Sequence, residues 1–329
     1  MQKVLSVSVA AYNLETMIRK CLDSFIAPDV IDRVEVLVTD DGSKDSTPDI
    51  VREYESRYPG SIILIQQKNA GPGSTVNSGI EHATGKYFRM VDGDDWVNTE
   101  AMGGFLDFLE STDADMVCSH YCCVKDMTFE QEFKIIKGVS FGRTEYFNNI
   151  CQDLSLSMHN ITYKTELLKN GPIRLDNGFY TDREYMLLPL MKVDTVAFFD
   201  QTIYMYRIGR DGQSMNMKSM QRNIKMHELV IRRLLDEYED AKYSLTAKKE
   251  TDNFICKDIA AMIGMQLLIY LSFDDSKKYR TVTKAFMNEI KSRNPRIYKI
   301  VSQTRTMKIL NVTNYLAFDL ISKYQRKKH

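Results

Sequence analysis

Over its first 95 residues the sequence switches repeatedly between two periodicities, and few folds accommodate that. Short apolar, β-branched runs (VLSVSVAAY, RVEVLVTDD, SIILIQQ and KYFRMVD) read as buried strands. Between them, ETMIRKCLDSFI repeats apolar residues at helical spacing, at Met17, Ile18, Cys21, Leu22 and Phe25. STPDIVREYESRY opens with a capping Ser46 or Thr47 and with Pro48 in its first turn. GSTVNSGIEHAT reads as a third helix that stops near Gly85. Strands alternating with helices build an α/β fold with a mainly parallel, Rossmann-like sheet. Such sheets bind ligands outside the carboxyl ends of their strands.

Polar residues gather at those ends. Tyr12-Asn13 follows the first strand, Asp40-Asp41-Gly42 the second, Asn69-Ala70-Gly71 the third, and Asp92-Gly93-Asp94-Asp95 the fourth. The last group sets three carboxylates within four residues. Carboxylates that close repel one another, and their burial is costly unless a cation compensates. An EF-hand loop does not fit, because Trp96 stands at a ligand position and the loop glycine is missing. A solvated acidic turn would leave the other three polar strand ends unexplained. Hard carboxylate oxygens suit Mg²⁺ or Mn²⁺, ions that bind carboxylate and substrate phosphate together. A diphosphate ligand is therefore expected. The chain has no Walker lysine loop and no GxGxxG, which argues against kinase, P-loop and Rossmann dehydrogenase chemistry.

Beyond Glu100, MGGFLDFLEST reads as a helix and DMVCSHYCCV as a strand in which Cys122-Cys123 is packing. Residues 124–180 are less regular. DREYMLLPLMK is helical, and TVAFFD and IYMYRIG read as two strands. From Met220 the pattern changes to long helices, near 220–238, 248–272, 276–293 and 314–327. Charge divides with the pattern. Residues 1–215 hold 21 Lys+Arg and 32 Asp+Glu, a net −11, and residues 216–329 hold 23 and 12, a net +11. Two domains, 1–217 and 218–329, are expected. Apolar residues make up 43% of the 329, enough for a sizeable core. Six cysteines without zinc or CxxC spacing, and no leader-like N-terminus, point to a reduced cytoplasmic protein. The longest apolar run, AAMIGMQLLIYL, is too short to span a bilayer.

VSVAAYNLETMIRKCLDSF, VEVLVTDDGSKDST, NAGPGSTVNSGIEHATGKYFRMVDGDDW and FYTDREYMLLPL together resemble successive motifs of family 2 glycosyltransferases, over about residues 3–215. The resemblance implies a GT-A fold, and the helical pattern beyond it makes a C-terminal extension. The resemblance also implies metal-assisted, inverting transfer of a sugar from a nucleotide donor, usually a UDP-sugar. Tyr12 then matches the residue packed near the base and Asp41 the carboxylate that takes the uracil hydrogen bond. Asp92 matches the ribose-side aspartate of the DxD motif, Asp94 its metal ligand, and Asp182 the catalytic base. The implied donor site also takes in Ala10, Asn13, Asn69, Gly71, Asn77 and Gly93. Arg207 and Arg210 of YRIGRDGQSM could reach the diphosphate, and a surface cationic turn is the other reading. Asp95, Trp96 and His159 fall on the implied acceptor side, although a lone His is more often structural. Two positions depart from the family pattern. Val76 replaces an arginine before Asn77, and Thr181 replaces a glutamate before Asp182; a helix-capping role for Asp182 is the alternative.

The expected acceptor is a surface polysaccharide, a lipid-linked glycan or a glycoprotein, with no nucleic-acid partner. Two rival functions remain in view: a sugar-1-phosphate nucleotidyltransferase, whose glycine-rich basic loop is absent, and a non-catalytic nucleotide-sugar-binding protein. In NYLAFDLISKYQRKKH, Tyr315, Leu316, Phe318, Leu320 and Ile321 lie on a short helix before Arg326, Lys327 and Lys328. That segment reads as a docked helix with a basic tail, a homodimer contact, or a peripheral attachment to the anionic inner leaflet.

Overall fold

The computed structural model describes residues 3–171, 173–178, 180–209 and 217–327. The chain divides into two compact units, Met1–Asp211 and Gly212–His329. In the first, strand and helix alternate: β1 (Leu5–Ala11), α1 (Ile18–Asp23), β2 (Val34–Asp40), α2 (Thr47–Arg57), β3 (Ile62–Gln66), α3 (Pro72–His82) and β4 (Tyr87–Asp92). There follow β5 (Trp96–Val97), α4 (Thr99–Ser111), β6 (Met116–Lys125), β7 (Gln131–Lys134), β8 (Thr144–Tyr146) and α5 (Phe147–Ile150). The unit closes with β9 (Ile161–Lys164), α6 (Thr165–Lys169), α7 (Thr181–Leu190) and β10 (Thr195–Ile208).

One sheet runs β3-β2-β1-β4-β9-β6-β10-β5, with β7 on β6 and β8 on β10. Its first four strands are all parallel. From β9 onward the sheet is mixed, since β9 runs antiparallel to both β4 and β6 while β6 and β10 pair in parallel. Of the four parallel strands, β1, β2 and β4 carry near-continuous apolar runs and are buried almost throughout, as burial on both faces requires, while the edge strand β3 is only half-buried or exposed beyond Ile62. Leu5, Val7 and Val9 of β1 and Val34, Val36 and Val38 of β2 are all inaccessible to solvent. Each such side chain contributes about 1.5–3 kcal/mol. At the amino-terminal edge, the buried Glu35 carboxylate accepts from the Ser6 and Thr84 hydroxyls and the Thr84 and Gly85 amides, tying three strands together.

The chain leaves β1 toward β2 and β3 on one side and returns to β4 on the other. That reversal opens a crevice between the carboxyl ends of β1 and β4. Register keeps those ends level: Ala10 pairs with Asp92 and Ala11 with Asp40.

Three local expectations are corrected. Ser46 sits at the α2 N-cap without a side-chain capping bond; Asp45 Oδ1 accepts from the Thr47 amide instead (3.0 Å). The two strands expected at 195–208 are one strand, β10, whose register shifts between Phe199 and Tyr204. The irregular region contributes β9, placed at the centre of the sheet.

The second unit is helical: α8 (Met217–Arg222), α9 (Ile224–Leu245), α10 (Lys249–Leu271), α11 (Ser276–Arg293), α12 (Pro295–Ser302), α13 (Arg305–Val312) and α14 (Phe318–Arg326). The apolar run judged too short to span a bilayer belongs to α10, which by length and composition could cross one. Two-thirds of its most apolar stretch is buried inside the protein, including Ile255, Ile259, Ile263 and Ile269. That burial is what a core helix shows.

Candidate active site

At the crevice, ligating oxygens of Asp92, Asp94 and Asp95 lie within 4.8 Å of one another. Gly93 makes the turn possible. A Cβ there would stand 2.7 Å from the Ala10 carbonyl and 2.7 Å from Leu14 Cδ1, and the Gly93 amide bonds Ala10 O at 3.2 Å. The three carboxylates differ in environment. Asp95 is buried; its Oδ2 accepts from the Tyr204 hydroxyl (2.6 Å) and its Oδ1 from the Arg207 amide (2.7 Å). Burial, then the Asp92 and Asp94 charges, hold its carboxyl well above the usual range. Tyr204 Oη in turn accepts from the Asp92 amide (3.1 Å), so β10 braces both ends of the acidic turn. With Asp95 turned inward, Asp92 and Asp94 are the cluster's half-buried members. Their hard oxygens fit a divalent cation that a diphosphate completes.

Arg207 lies beside the cluster. Its Nε donates to the Asp94 carbonyl (2.7 Å) and its Nη1 to Asp126 Oδ1 (2.6 Å). Its guanidinium is 5.2 Å from the Trp96 ring centroid, and Lys20 Nζ is 3.3 Å from it. Trp96 also packs on Cys122, Val124 and Met205.

Asp41, at the end of β2, is buried and organises the loop after β3. Its Oδ1 accepts from Gln67 Nε2 (2.7 Å) and the Ala70 amide (2.8 Å), and its Oδ2 from the Gly71 amide (2.9 Å). Asn69 Nδ2 donates to the Asp41 carbonyl (2.9 Å). Oδ2 keeps capacity for one more donor. Tyr12 stands exposed next to Asn13, whose left-handed backbone (φ 52°) and side chain hold the turn at Ser43-Lys44.

The loop before α7 packs on this region. A Cβ on Gly71 would lie 1.8 Å from the Asn177 carbonyl, and one on Gly73 1.7 Å from the Asp176 carbonyl. Tyr180 (φ 74°) then turns the chain into α7, with Asp182 in its first turn. The Asp182 side chain is 48% exposed, so it is only partly withdrawn from water; that partial desolvation raises its carboxyl above the ordinary range, against a lowering by Arg183 3.9 Å away. Glu184, by contrast, is fully buried and accepts from the Asp176 amide (2.8 Å).

The description of glycosyl transferase family 2 matches residues 6–171, half of the chain. The chain belongs to that family. It is 25% identical over 267 residues to EpsH of Bacillus subtilis, covering 76% of this chain and 74% of EpsH. It is 25% identical over 225 residues to the poly(ribitol-phosphate) beta-glucosyltransferase of Bacillus spizizenii, covering 65% of this chain but 33% of that enzyme. S. aureus TarS 1-349, solved in complex with UDP-GlcNAc, superposes with a TM-score of 0.64 at 21% identity, over 98% of this chain and 92% of that one. The mixed sheet flanked by helices is thus the GT-A fold of family 2, followed by a helical C-terminal region.

Within that frame, the structure brings Ala10, Tyr12, Asn13, Asp41, Asn69, Gly71, Asp92, Gly93 and Asp94 to the ends of the four parallel strands. Four expected residues are placed differently. Asn77 faces the 175 loop, donating to Leu175 O (2.9 Å) and accepting from Leu175 N (2.8 Å), so its carboxamide braces that loop. Asp95 points into the protein rather than toward an acceptor, because Tyr204 and Arg207 draw both its oxygens inward. The His159 ring stacks on Tyr121 (5.0 Å) and Tyr206 (4.3 Å), and burial pushes its pKa down to about 3. It is a neutral packing element whose carbonyl accepts from the buried Arg89. Arg207 is engaged with Asp94 and Asp126 rather than directed only outward. Arg210 lies outside the described residues.

Sequence reasoning missed Tyr204, Tyr206, Lys20 and Asp126. Burial, and after it the Asp95, Asp92 and Asp94 charges, push the Tyr206 phenol up to about 12. Tyr204-Met205-Tyr206 alternates along a strand, a signal that both rings share a face. No local signal marks Asp126, which is 81 positions from Arg207.

Proposed function

We propose that this family 2 enzyme moves a sugar, with inversion, from a UDP-sugar to a polysaccharide or glycoconjugate hydroxyl. Residues 1–217 form the catalytic domain and 218–329 a helical appendage. The observation that carries the reading is the cluster of Asp92, Asp94 and Asp95 at the β1–β4 crevice, in a chain of this family. The UDP-GlcNAc in the TarS complex and the polymer glucosylation named for the Bacillus spizizenii relative support the donor and acceptor classes.

Asp94 would hold Mn²⁺ or Mg²⁺, an ion that family 2 enzymes commonly use, with Asp92 on the ribose side, and the ion would neutralise charge developing on the diphosphate leaving group. Tyr12 stacks near the base, and Asp41 Oδ2, with capacity for one more donor, accepts the uracil N–H. Tyr204 and Arg207 fix the acidic turn in place. Trp96 walls the acceptor side. Asp182, ionised, takes the proton of the acceptor hydroxyl as that oxygen attacks C1 from the face opposite the leaving diphosphate.

A panel of nucleotide sugars incubated with the enzyme and Mn²⁺ tests the reading. Slow hydrolysis of one UDP-sugar, abolished by EDTA, is expected. Binding of a nucleotide sugar with no hydrolysis would leave a non-catalytic binding protein as the better account, and failure to bind any would overturn the reading.

A further inference from the structure

The end of the helical unit has two unlike sides. Inward, Met307, Leu310, Tyr315 and Phe318 are buried, and Ser322 donates to the Leu271 carbonyl (2.7 Å). Outward, Val312, Leu316, Leu320 and Tyr324 follow one another every four residues and are 88%, 75%, 73% and 62% exposed. Soluble proteins rarely leave such a run of large apolar groups in water without a use for it. Lys308, Lys323 and Lys327 are exposed among them. The one acid between 305 and 327 is Asp319, and Arg280 lies 3.8 Å from it. Alongside opens a groove lined by Arg280, Lys284, Asn288, Asn314 and Leu316.

We propose that this α13–α14 corner docks on an anionic lipid bilayer. The choice of a lipid partner over a protein one follows from the mixture of residue types. Lysine is depleted at the centre of protein–protein interfaces. At a membrane surface it extends its charge to the headgroups while its stem and neighbouring Leu and Tyr side chains enter the acyl boundary. The charge distribution agrees. The whole chain is formally neutral, so attraction to anionic lipid has to be local, and residues 216–329 carry the +11.

Co-sedimentation of the full-length protein with vesicles tests this. Phosphatidylglycerol–phosphatidylcholine vesicles at low salt should pellet the protein, pure phosphatidylcholine should not, and added salt should release it. The exposed pair Leu316→Ser/Leu320→Ser should lose pelleting while its circular-dichroism melt stays unchanged. Lys323→Gln and Lys327→Gln should each lower partitioning about five-fold. Protein that stays in the supernatant with anionic vesicles overturns the proposal, as does wild-type pelleting by the leucine pair. Concentration-dependent dimerisation that the leucine pair abolishes, without vesicle binding, would assign the surface to a second copy of the chain.

Discussion

At the scale of single residues, neighbours a few ångströms apart decide the function of chemically identical groups. Asp92, Asp94 and Asp95 share a turn, yet Tyr204 and the Arg207 amide draw Asp95 inward. Asp94→Ala should therefore abolish divalent-dependent UDP binding, while wild-type binding should weaken sharply in EDTA. Calorimetric affinity that ignores both the chelator and the substitution would remove the metal from the site. Asp182→Asn should lower transfer about 10²–10⁴-fold with UDP affinity retained. The pH profile adds a signature. The proposed base is active when ionised and its carboxyl is raised, so the rate should climb with pH through a limb above the ordinary aspartate range. Arg183 lowers that carboxyl, so Arg183→Met should move the limb further up. A limb that stays put in Arg183→Met would assign the titration to another group. The residues of this site legible in the sequence are those whose position relative to a strand end is set by counting along one strand. Asn77, Asp95 and His159 were not legible in that way. Their side chains answer to Leu175, Tyr204 and Tyr206, partners contributed by distant segments.

Among elements, the contact between the start of α3 and the loop before α7 has the least room for change. Gly73 meets the Asp176 carbonyl so closely that any side chain displaces the segment leading to Asp182. Gly73→Ala should cost about 1–3 kcal/mol in a denaturant melt. It should also depress kcat more than UDP affinity, because the displaced segment carries the proposed base. Equal stability with full activity would mean that the loop moves aside freely. Most of the parallel half of the sheet was readable because strands buried on both faces, β1, β2 and β4, leave a continuous apolar signature. β9 and the continuity of β10 were not. β9 is four residues long, and the shift between Phe199 and Tyr204 interrupts the pattern of one strand so that it reads as two.

For the whole molecule, the same logic separates a core helix from a membrane one. α10 is apolar enough for either, but Leu267 is almost fully buried among its neighbours. Leu267→Ala should therefore destabilise the purified protein by about 2–5 kcal/mol in aqueous denaturation. An unchanged midpoint would argue that this face of α10 belongs against lipid. Trp96 has a practical consequence of its own. It is the only tryptophan among 329 residues, and it stands beside the acidic turn with Lys20 and Arg207 against its indole. The native emission of this chain is thus a single-site optical signal that needs no label. Donor and metal binding can be followed by its intensity and wavelength, and every variant that keeps Trp96 brings the same reporter to the titration.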